Sequence, residues 1–201
     1  MVVVVLFLLQ EANTPTTMTL RPCREESMDF DNTQNLYIEG DNLDVLKLLQ
    51  ETYLGKIKMI YIDPPYNTGN EGWVYNDNVN DPRIKKWLGE VVGKEGEDLS
   101  RHDKWLCMMY PRLKLLHKLL ADDGVIFISI EDTEVSYLRL ICDEIFKNFA
   151  EAIVWQKRTA PDARKKLSSG HEYVLIYTKN PDQNLGLKLL PLDEKRCICL
   201  H

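Results

Sequence analysis

The sequence predicts an α/β fold, in which β-strands alternate with α-helices around a parallel sheet. Two continuous apolar runs, Ile57–Ile62 and residues 125–130, are typical of strands buried on both faces of such a sheet. Segments with apolar residues at helical spacing begin near Asn42, Trp105 and Thr133, so helices and strands take turns along the chain. A chain of 201 residues is long enough to bury the core of one domain.

The first predicted strand is the short apolar run at residues 36–39, and a helix is predicted to follow it. Asp41 is a good N-cap residue for this helix, with Asp44 three residues further on. The helix presents an apolar stripe made of Leu43, Leu46, Leu49 and Tyr53.

The second predicted strand, Ile57–Ile62, ends in the sequence Asp63-Pro64-Pro65-Tyr66. The two prolines have no amide hydrogen and cannot continue a strand ladder, so the chain must leave the sheet at Asp63. Ligands of open α/β sheets bind outside the carboxyl ends of the strands. The motif is therefore predicted to lie at the mouth of a crevice.

The third predicted strand, residues 125–130, lies between two predicted helices. The helix that begins near Trp105 is interpreted as core packing, and the sequence Asp-Asp-Gly at residues 122–124 is predicted to end it. A helix over residues 133–147 is predicted to follow the strand, with Asp132 as its N-cap. Whether Glu131 faces the crevice stays open. Residues 152–156 and 172–178 complete the set as two further strands.

The run from Ile62 to Gly69, Ile-Asp-Pro-Pro-Tyr-Asn-Thr-Gly, closely resembles the catalytic motif of amino-methylating DNA methyltransferases that use S-adenosylmethionine. Gly-Asp-Asn-Leu at residues 40–43, the Trp-Leu-Cys-Met-Met-Tyr-Pro-Arg-Leu-Lys-Leu run at 105–115 and His-Glu-Tyr at 171–173 extend the likeness. Together these stretches resemble the modification subunit of type III restriction-modification systems over residues 35–182.

The resemblance implies a role for each residue that matches the family pattern. It implies a catalytic group of Asp63, Pro64, Pro65 and Tyr66, a cofactor group of Asp41, Asn42 and Asp63, and DNA contacts by Asn67 and Thr68. For Asp41, helix capping and a hydrogen bond to the adenine amine of the cofactor are both open, since one residue can do both. For the motif, a proline-stiffened strand end with a tyrosine that covers the core is the structural alternative.

The chemistry of methyl transfer to an amine explains these residue types. Adenine N6 is a poor nucleophile because its lone pair is delocalised into the ring. Asp63 and the Pro64 carbonyl are predicted to accept its two N–H bonds, while the rigid prolines hold both acceptors in place. Tyr66 is predicted to stack on a base that has been taken out of the duplex.

The fold implied by the resemblance is a Rossmann-like S-adenosylmethionine-dependent methyltransferase fold that is circularly permuted and incomplete. About five strands can be placed, the last two as an antiparallel pair, and a Phe-x-Gly-x-Gly turn for the methionine part of the cofactor is missing from the sequence. We therefore expect a truncated catalytic half with little or no cofactor binding of its own. The predicted division is an irregular extension at 1–34, a partial catalytic domain at 35–182 and an unassigned tail at 183–201, with Met28 as the expected natural start.

DNA contact is predicted for the connection between the last two strands. It carries five basic residues against one acid: Lys157, Arg158, Arg164, Lys165 and Lys166. A solvated loop is the alternative interpretation. The formal charge of the whole chain, −6, argues against a protein that coats nucleic acid non-specifically.

Composition bounds the remaining possibilities. The five cysteines form no CxxC pair, which indicates reduced thiols in a cytoplasmic protein, and no Cys/His cluster has the spacing of a metal site. The eight apolar residues at 2–9 are too few to span a bilayer, and no membrane association is predicted. By resemblance, the expected partners are DNA, a second modification subunit and a restriction subunit.

Three hypotheses about function remain open from sequence. The first is an adenine N6-methyltransferase that modifies double-stranded DNA. The second keeps the fold and changes the acceptor to cytosine N4, RNA or a protein side-chain amide. The third is a non-catalytic remnant that binds nucleic acid or a partner subunit.

Overall fold

The computed structural model of the protein describes residues 9–67, 101–157 and 170–181. In chain order the helices and strands are α1 (Asn42–Tyr53), β1 (Ile57–Ile62), α2 (Arg101–Leu119), β2 (Leu120–Ile130), α3 (Val135–Ile145), β3 (Asn148–Gln156) and β4 (His171–Thr178). The predicted alternation of helices and strands is therefore confirmed.

The four described strands form one mixed sheet in the order β1-β2-β4-β3. β1 and β2 are parallel, as predicted, with Ile62 opposite Ile128. β4 is antiparallel to both of its neighbours, so β3 and β4 are the predicted antiparallel pair. As a result, the carboxyl ends of β1, β2 and β3 and the amino end of β4 meet at one edge of the sheet.

The predicted strand at residues 36–39 is not formed. These residues have no regular secondary structure and pair with no strand of the described sheet, and Leu36 and Tyr37 are 68% and 92% exposed. An apolar run gains strand structure only from a neighbour to pair with and a core to cover, and within the described part of the chain this run has neither. The sequence predicted that Asp41 follows a strand next to β1. This prediction is wrong, because the strand is absent from the described sheet.

The core lies between α2, α3 and one face of the sheet. Its fully buried side chains include Trp105, Leu113, Leu120, Ile126, Ile128, Ile130, Leu138 and Cys142. β2 is buried along most of its length, whereas Ile60 is the one buried residue of β1, and Met59 and Tyr61 are more than half exposed. The prediction that both strands are buried on two faces is therefore wrong for β1.

Two predicted boundaries are also wrong. The predicted helix end at residues 122–124 is part of β2, because α2 ends at Leu119 and β2 begins at Leu120, opposite Ile57. α3 is shorter than predicted and has Glu134, not Asp132, as its N-cap residue. The turn before α3 is held by backbone bonds instead, since the Glu131 carbonyl accepts from the amides of Glu134 and Val135, both at 3.2 Å.

The N-terminal extension is partly ordered, contrary to the prediction of an irregular segment. Residues 9–13 are helical, and Ala12 is buried in a small cluster with Leu43 and Leu115. The Glu11 carboxylate pairs with the Lys47 ammonium at 2.9 Å. These contacts attach residues before Met28 to α1 and α2. None of the described helices is long and apolar enough to cross a membrane.

Gly124 is expected to be a sensitive position of the sheet. A Cβ atom there would lie 2.8 Å from the Ala121 carbonyl oxygen and 2.9 Å from that of Ile57, both backbone atoms that cannot move aside. We predict that Gly124→Ala lowers the free energy of unfolding by about 1–3 kcal/mol, the usual cost of overpacking. Urea unfolding followed by circular dichroism measures this free energy.

Gly55 provides the control for this prediction. It has φ +65° and no atom within 4 Å of an added Cβ. Asparagine tolerates this left-handed conformation, so Gly55→Asn is expected to cost less than about 1 kcal/mol. Equal losses for the two variants would contradict the steric explanation at Gly124.

Candidate active site

The motif Asp63-Pro64-Pro65-Tyr66 lies immediately after β1, at the edge where four strand ends meet. Asp63 is exposed and Pro64 is buried, while Pro65 and Tyr66 are half-buried. The chain therefore leaves the sheet where the sequence predicted, with a carboxylate facing solvent and a proline anchored beneath it.

Three charged residues from neighbouring strand ends share this edge. Glu131 directly follows β2, Lys157 directly follows β3, and Glu172 is the second residue of β4. The Lys157 ammonium forms an ion pair with Glu131 and lies 3.5 Å from a carboxylate oxygen of Glu172. The hydrogen bond that the Lys157 ammonium donates to Glu131 is the main reason why the pKa of Lys157 is raised above its ordinary value. With Asp63, these described residues bring three carboxylates together with the Lys157 ammonium.

Tyr66 lies within this charged group. Its hydroxyl donates to a Glu172 oxygen at 3.4 Å, and the Lys157 ammonium lies 5.3 Å from the centroid of its ring. Burial, followed by the hydrogen bond to Asp63 and the charges of Asp63 and Glu172, raises the pKa of Tyr66 above its ordinary value. The hydroxyl is therefore protonated at neutral pH and can donate a hydrogen bond. The positive charge of Lys157 lies over the ring.

Lys157, a predicted DNA contact, lies among acidic residues and not in the basic surroundings that the sequence predicted. The residue was predicted to start a basic loop, yet its ammonium is paired with two carboxylates beside Tyr66. The other residues predicted to contact DNA through this loop, Arg158, Arg164, Lys165 and Lys166, lie outside the described residues, as does Thr68.

Trp105 connects the motif to the core. Its indole Nε1 donates a hydrogen bond to the Pro65 carbonyl at 2.7 Å, and the side chain is 0% exposed. The sequence predicted only core packing for this residue. A signal was available, because a buried tryptophan usually finds an acceptor for its N–H. Trp105 binds the carbonyl of Pro65. The carbonyl predicted to accept from the base is that of Pro64, so the two contacts do not compete.

Asn67 ends the motif in an unexpected position. Its side chain is 0% exposed, its Nδ2 donates to the buried Glu134 carboxylate, and its φ of +56° is in the left-handed region. DNA contact had been predicted for this residue. In this conformation its side chain is not accessible to DNA, because it is buried beneath the turn.

Asp41 and Asn42 form a second cluster, around Arg112. The Asp41 carboxylate caps α1, accepting from the amides of Leu43 at 2.8 Å and Asp44 at 3.2 Å. The buried Arg112 guanidinium donates to the Asn42 side-chain oxygen at 2.5 Å and lies 3.8 Å from Asp41. The capping interpretation of Asp41 is thus confirmed. Sequence reasoning missed Arg112, whose only signal is a charge inside an apolar helical run.

Within the described ranges, no three His, Cys, Asp or Glu side chains come together in a way that could hold a metal ion. The acidic group beside Tyr66 is bridged by the Lys157 ammonium, and its carboxylates can accept further hydrogen bonds.

Comparison with known proteins identifies the class to which this chain belongs. Residues 57–196 match the model of the DNA methylase family, which covers more than half of the chain, so the chain is a member of that family.

Within the family, the similarity is to modification subunits. The chain is 42% identical over 165 residues to the type III restriction-modification enzyme EcoP15I Mod subunit of Escherichia coli, a match over 76% of this chain and 25% of that protein. It is 41% identical over 180 residues to the StyLTI Mod subunit of Salmonella typhimurium, over 82% and 26% of the two chains. The chain therefore spans about a quarter of the length of these curated relatives. The resemblance found in the sequence is confirmed.

Among solved structures, the PvuII DNA methyltransferase, described as cytosine-N4-specific, is similar with a TM-score of 0.45 and 15% identity. That match covers 68% of this chain and 47% of the other.

Proposed function

We propose that this chain carries catalytic residues of a type III DNA methyltransferase, which transfers a methyl group from S-adenosylmethionine to adenine N6. The observation that carries the proposal is Asp63, an exposed carboxylate at the open end of β1 on a turn that Trp105 holds from the core. Membership of the DNA methylase family and the identity to Mod subunits support the same conclusion.

The proposed role of Asp63 follows from the chemistry of the amine. Asp63 and the Pro64 carbonyl accept the two N–H bonds of the base and favour a more tetrahedral nitrogen, whose lone pair is then available. Positive charge that develops on this nitrogen as the new N–C bond forms lies next to a fixed carboxylate. The amine proton becomes acidic only as the methyl group arrives, so Asp63 need not act as a general base.

Tyr66 is proposed to hold the base by stacking. An amine inside a duplex cannot reach Asp63, so the base must be taken out of the helix and received by an apolar surface. The Lys157 ammonium lies over the Tyr66 ring at 5.3 Å. A stacked base therefore takes the opposite face of the ring or displaces Lys157 toward Glu131 and Glu172.

The residues present fit the adenosine half of the methyl donor. S-adenosylmethionine, when bound, supplies an electrophilic methyl group. The side chain of Asp41 is 38% exposed even though it caps α1, so its carboxylate can accept further hydrogen bonds from an amine or a hydroxyl. Arg112 holds the neighbouring Asn42. Asp41 and Asn42, together with Asp63, are the proposed contacts to the methyl donor.

The proposed partners follow from the same relatives. DNA is the substrate, and a second modification subunit and a restriction subunit are the expected protein partners, because the matched proteins are subunits of restriction-modification enzymes. Thr68 and the basic residues at 158–166 remain proposed DNA contacts.

The test is transfer of a labelled methyl group to DNA. Transfer is measured for this chain alone and for the chain extended by any coding sequence downstream in its gene, and nucleoside analysis then separates N6-methyladenine from N4-methylcytosine. Methylated adenine supports the proposal. Methylated cytosine would replace adenine by cytosine as the acceptor, and no transfer with either protein would favour a non-catalytic binding role.

A pair of substitutions separates the two roles of Asp41. Asparagine caps helices about as well as aspartate, whereas alanine costs about 1 kcal/mol. We predict that Asp41→Asn leaves the unfolding midpoint unchanged but weakens S-adenosylmethionine binding about tenfold, the effect of losing about 1.4 kcal/mol from a charge-assisted hydrogen bond. Calorimetry on whichever form transfers methyl groups measures the affinity.

Asp44→Asn is the matched control, since Asp44 lies in the same turn and accepts no capping bond. Cofactor affinity should be unchanged in this variant. Unchanged affinity in Asp41→Asn as well would leave helix capping as the whole function of Asp41.

A further inference from the structure

A buried carboxylate lies directly beneath the catalytic motif. Glu134, at the start of α3, is 0% exposed, and its side chain makes no helix-capping hydrogen bond. A carboxylate inside a protein is costly unless hydrogen-bond donors compensate for the water it has lost. The contacts of Glu134 therefore indicate why it is buried there.

Among the described residues, Asn67 and His102 both contact the same oxygen of Glu134. Oε1 accepts from Asn67 Nδ2 and lies 2.7 Å from His102 Nδ1. The His102 ring is in turn stacked on Tyr137, with centroids 4.7 Å apart and planes 24° apart. α2 supplies His102 and α3 supplies Tyr137, so two helices fix the carboxylate against the turn.

Asn67 transmits this contact to the motif. It directly follows Tyr66, and its φ of +56° lies in the left-handed region. Asparagine is one of the few residues other than glycine that tolerate this conformation. On the other side of Tyr66, the Pro65 carbonyl is bonded to Trp105 at 2.7 Å. The turn is thus fixed at two points, by α2 before Tyr66 and by α3 after it.

From this geometry we propose that Glu134, supported by His102, is a positioning residue. It holds Asn67, and through Asn67 it sets the position of Tyr66 and of the Pro65 carbonyl. This inference adds to the proposed function a residue that does not touch the base or the methyl donor. Its physical test does not depend on methyl transfer.

The indole N–H of Trp105 is the probe, because its hydrogen bond to Pro65 reports the position of the turn. Its signal in ¹H–¹⁵N spectra is assigned with Trp105→Phe. In Glu134→Ala we expect this N–H to shift and to exchange with solvent at least tenfold faster than in the wild-type chain. Glu134→Gln keeps an oxygen that accepts from Asn67, so it should restore the wild-type signal.

General loss of stability is distinguished by the amides of Ile126 and Ile128 in β2, which report unfolding of the core. Positioning requires that the Trp105 N–H accelerates more than these amides do. Glu144→Ala is the matched control: Glu144 lies near the other end of α3 and accepts from the Tyr110 hydroxyl. It should leave the Trp105 signal unchanged.

Asn67→Gly tests the same contact from the opposite side and is available if Glu134→Ala does not fold. Glycine adopts a positive φ at no steric cost, so this variant removes the hydrogen bond and keeps the turn conformation allowed. The same change in the Trp105 signal is expected. An unchanged signal, or acceleration equal to that of Ile126 and Ile128, would overturn the proposal. Failure of the wild-type protein to methylate DNA would refute the proposed function and leave this result unaffected.

Discussion

Asp63→Ala is expected to reduce methyl transfer by about 10²- to 10³-fold, with the free energy of unfolding almost unchanged. The size of the effect is that of removing one preorganised group aimed at developing charge. Asp63 is exposed, so its loss leaves no cavity in the core. The rate is measured with labelled S-adenosylmethionine on the protein form that transfers methyl groups, under single-turnover conditions so that product release does not hide the chemical step.

Two further variants separate charge from hydrogen bonding at this position. Asp63→Asn keeps one acceptor oxygen and removes the negative charge, so an intermediate rate is expected. Asp123→Ala makes the same truncation at an exposed carboxylate that pairs with Lys58 on the other end of the sheet. Its rate of methyl transfer should stay within about twofold of wild type, because an exposed ion pair at the opposite end of the sheet contributes little. A rate for Asp63→Ala close to that of Asp123→Ala would contradict the catalytic role.

The strands and helices that form the centre of the fold could be predicted from local patterns. Residues 125–130 of β2 form an apolar run, and the prolines after Ile62 show where β1 must end. The same kind of pattern failed at residues 36–39, because whether an apolar run pairs depends on what lies beside it in space. The predicted boundary between α2 and β2 was wrong for a similar reason. Pairing with Ile57 makes β2 begin at Leu120, five residues before the apolar run at 125–130.

The motif that contains the proposed catalytic carboxylate could be recognised in the sequence, but the contacts that hold this motif in place could not. Asp63 and its neighbours form one contiguous motif, so their types alone indicate chemistry. Trp105 is 40 residues from Pro65, and Glu134 is 67 residues from Asn67. Neither contact has a local pattern. Each depends on how α2 and α3 pack on the sheet, and this is why Trp105 was interpreted as core alone and Asn67 as a DNA contact.

The acidic group at the strand ends could not be predicted for the same reason, since its members are far apart in the sequence. Glu131, Lys157 and Glu172 come from three different strands, and only the antiparallel return of β4 brings Glu172 beside Tyr66. Because Asp63, Glu131 and Glu172 outnumber the Lys157 ammonium, this described group of side chains favours groups that donate hydrogen bonds over phosphates. This preference agrees with the proposed role of the edge in receiving the amine of a base.

Trp105→Ala is expected to lower the free energy of unfolding by about 3–5 kcal/mol, the range measured when large aromatic residues are removed from protein cores. The indole is fully buried, and its loss also leaves the Pro65 carbonyl without its donor. Chemical denaturation followed by circular dichroism measures the change. Because 3–5 kcal/mol is a large part of the stability of most single domains, the variant is expected to be partly unfolded at 37 °C.

Comparison of Trp105→Phe with Leu113→Ala separates the hydrogen bond from the packing. Trp105→Phe keeps most of the aromatic volume and removes only the donor to Pro65, which costs about 1–3 kcal/mol for an unsatisfied buried acceptor. Leu113→Ala, in the same helix and also fully buried, costs about 2–5 kcal/mol through its cavity. We expect Leu113→Ala to be at least as destabilised and yet to transfer methyl groups at a near wild-type rate at 15 °C. Trp105→Phe should lose at least tenfold in rate, because its turn no longer holds Asp63 and Tyr66 in position. Equal rates in the two variants would mean that Trp105 contributes packing alone.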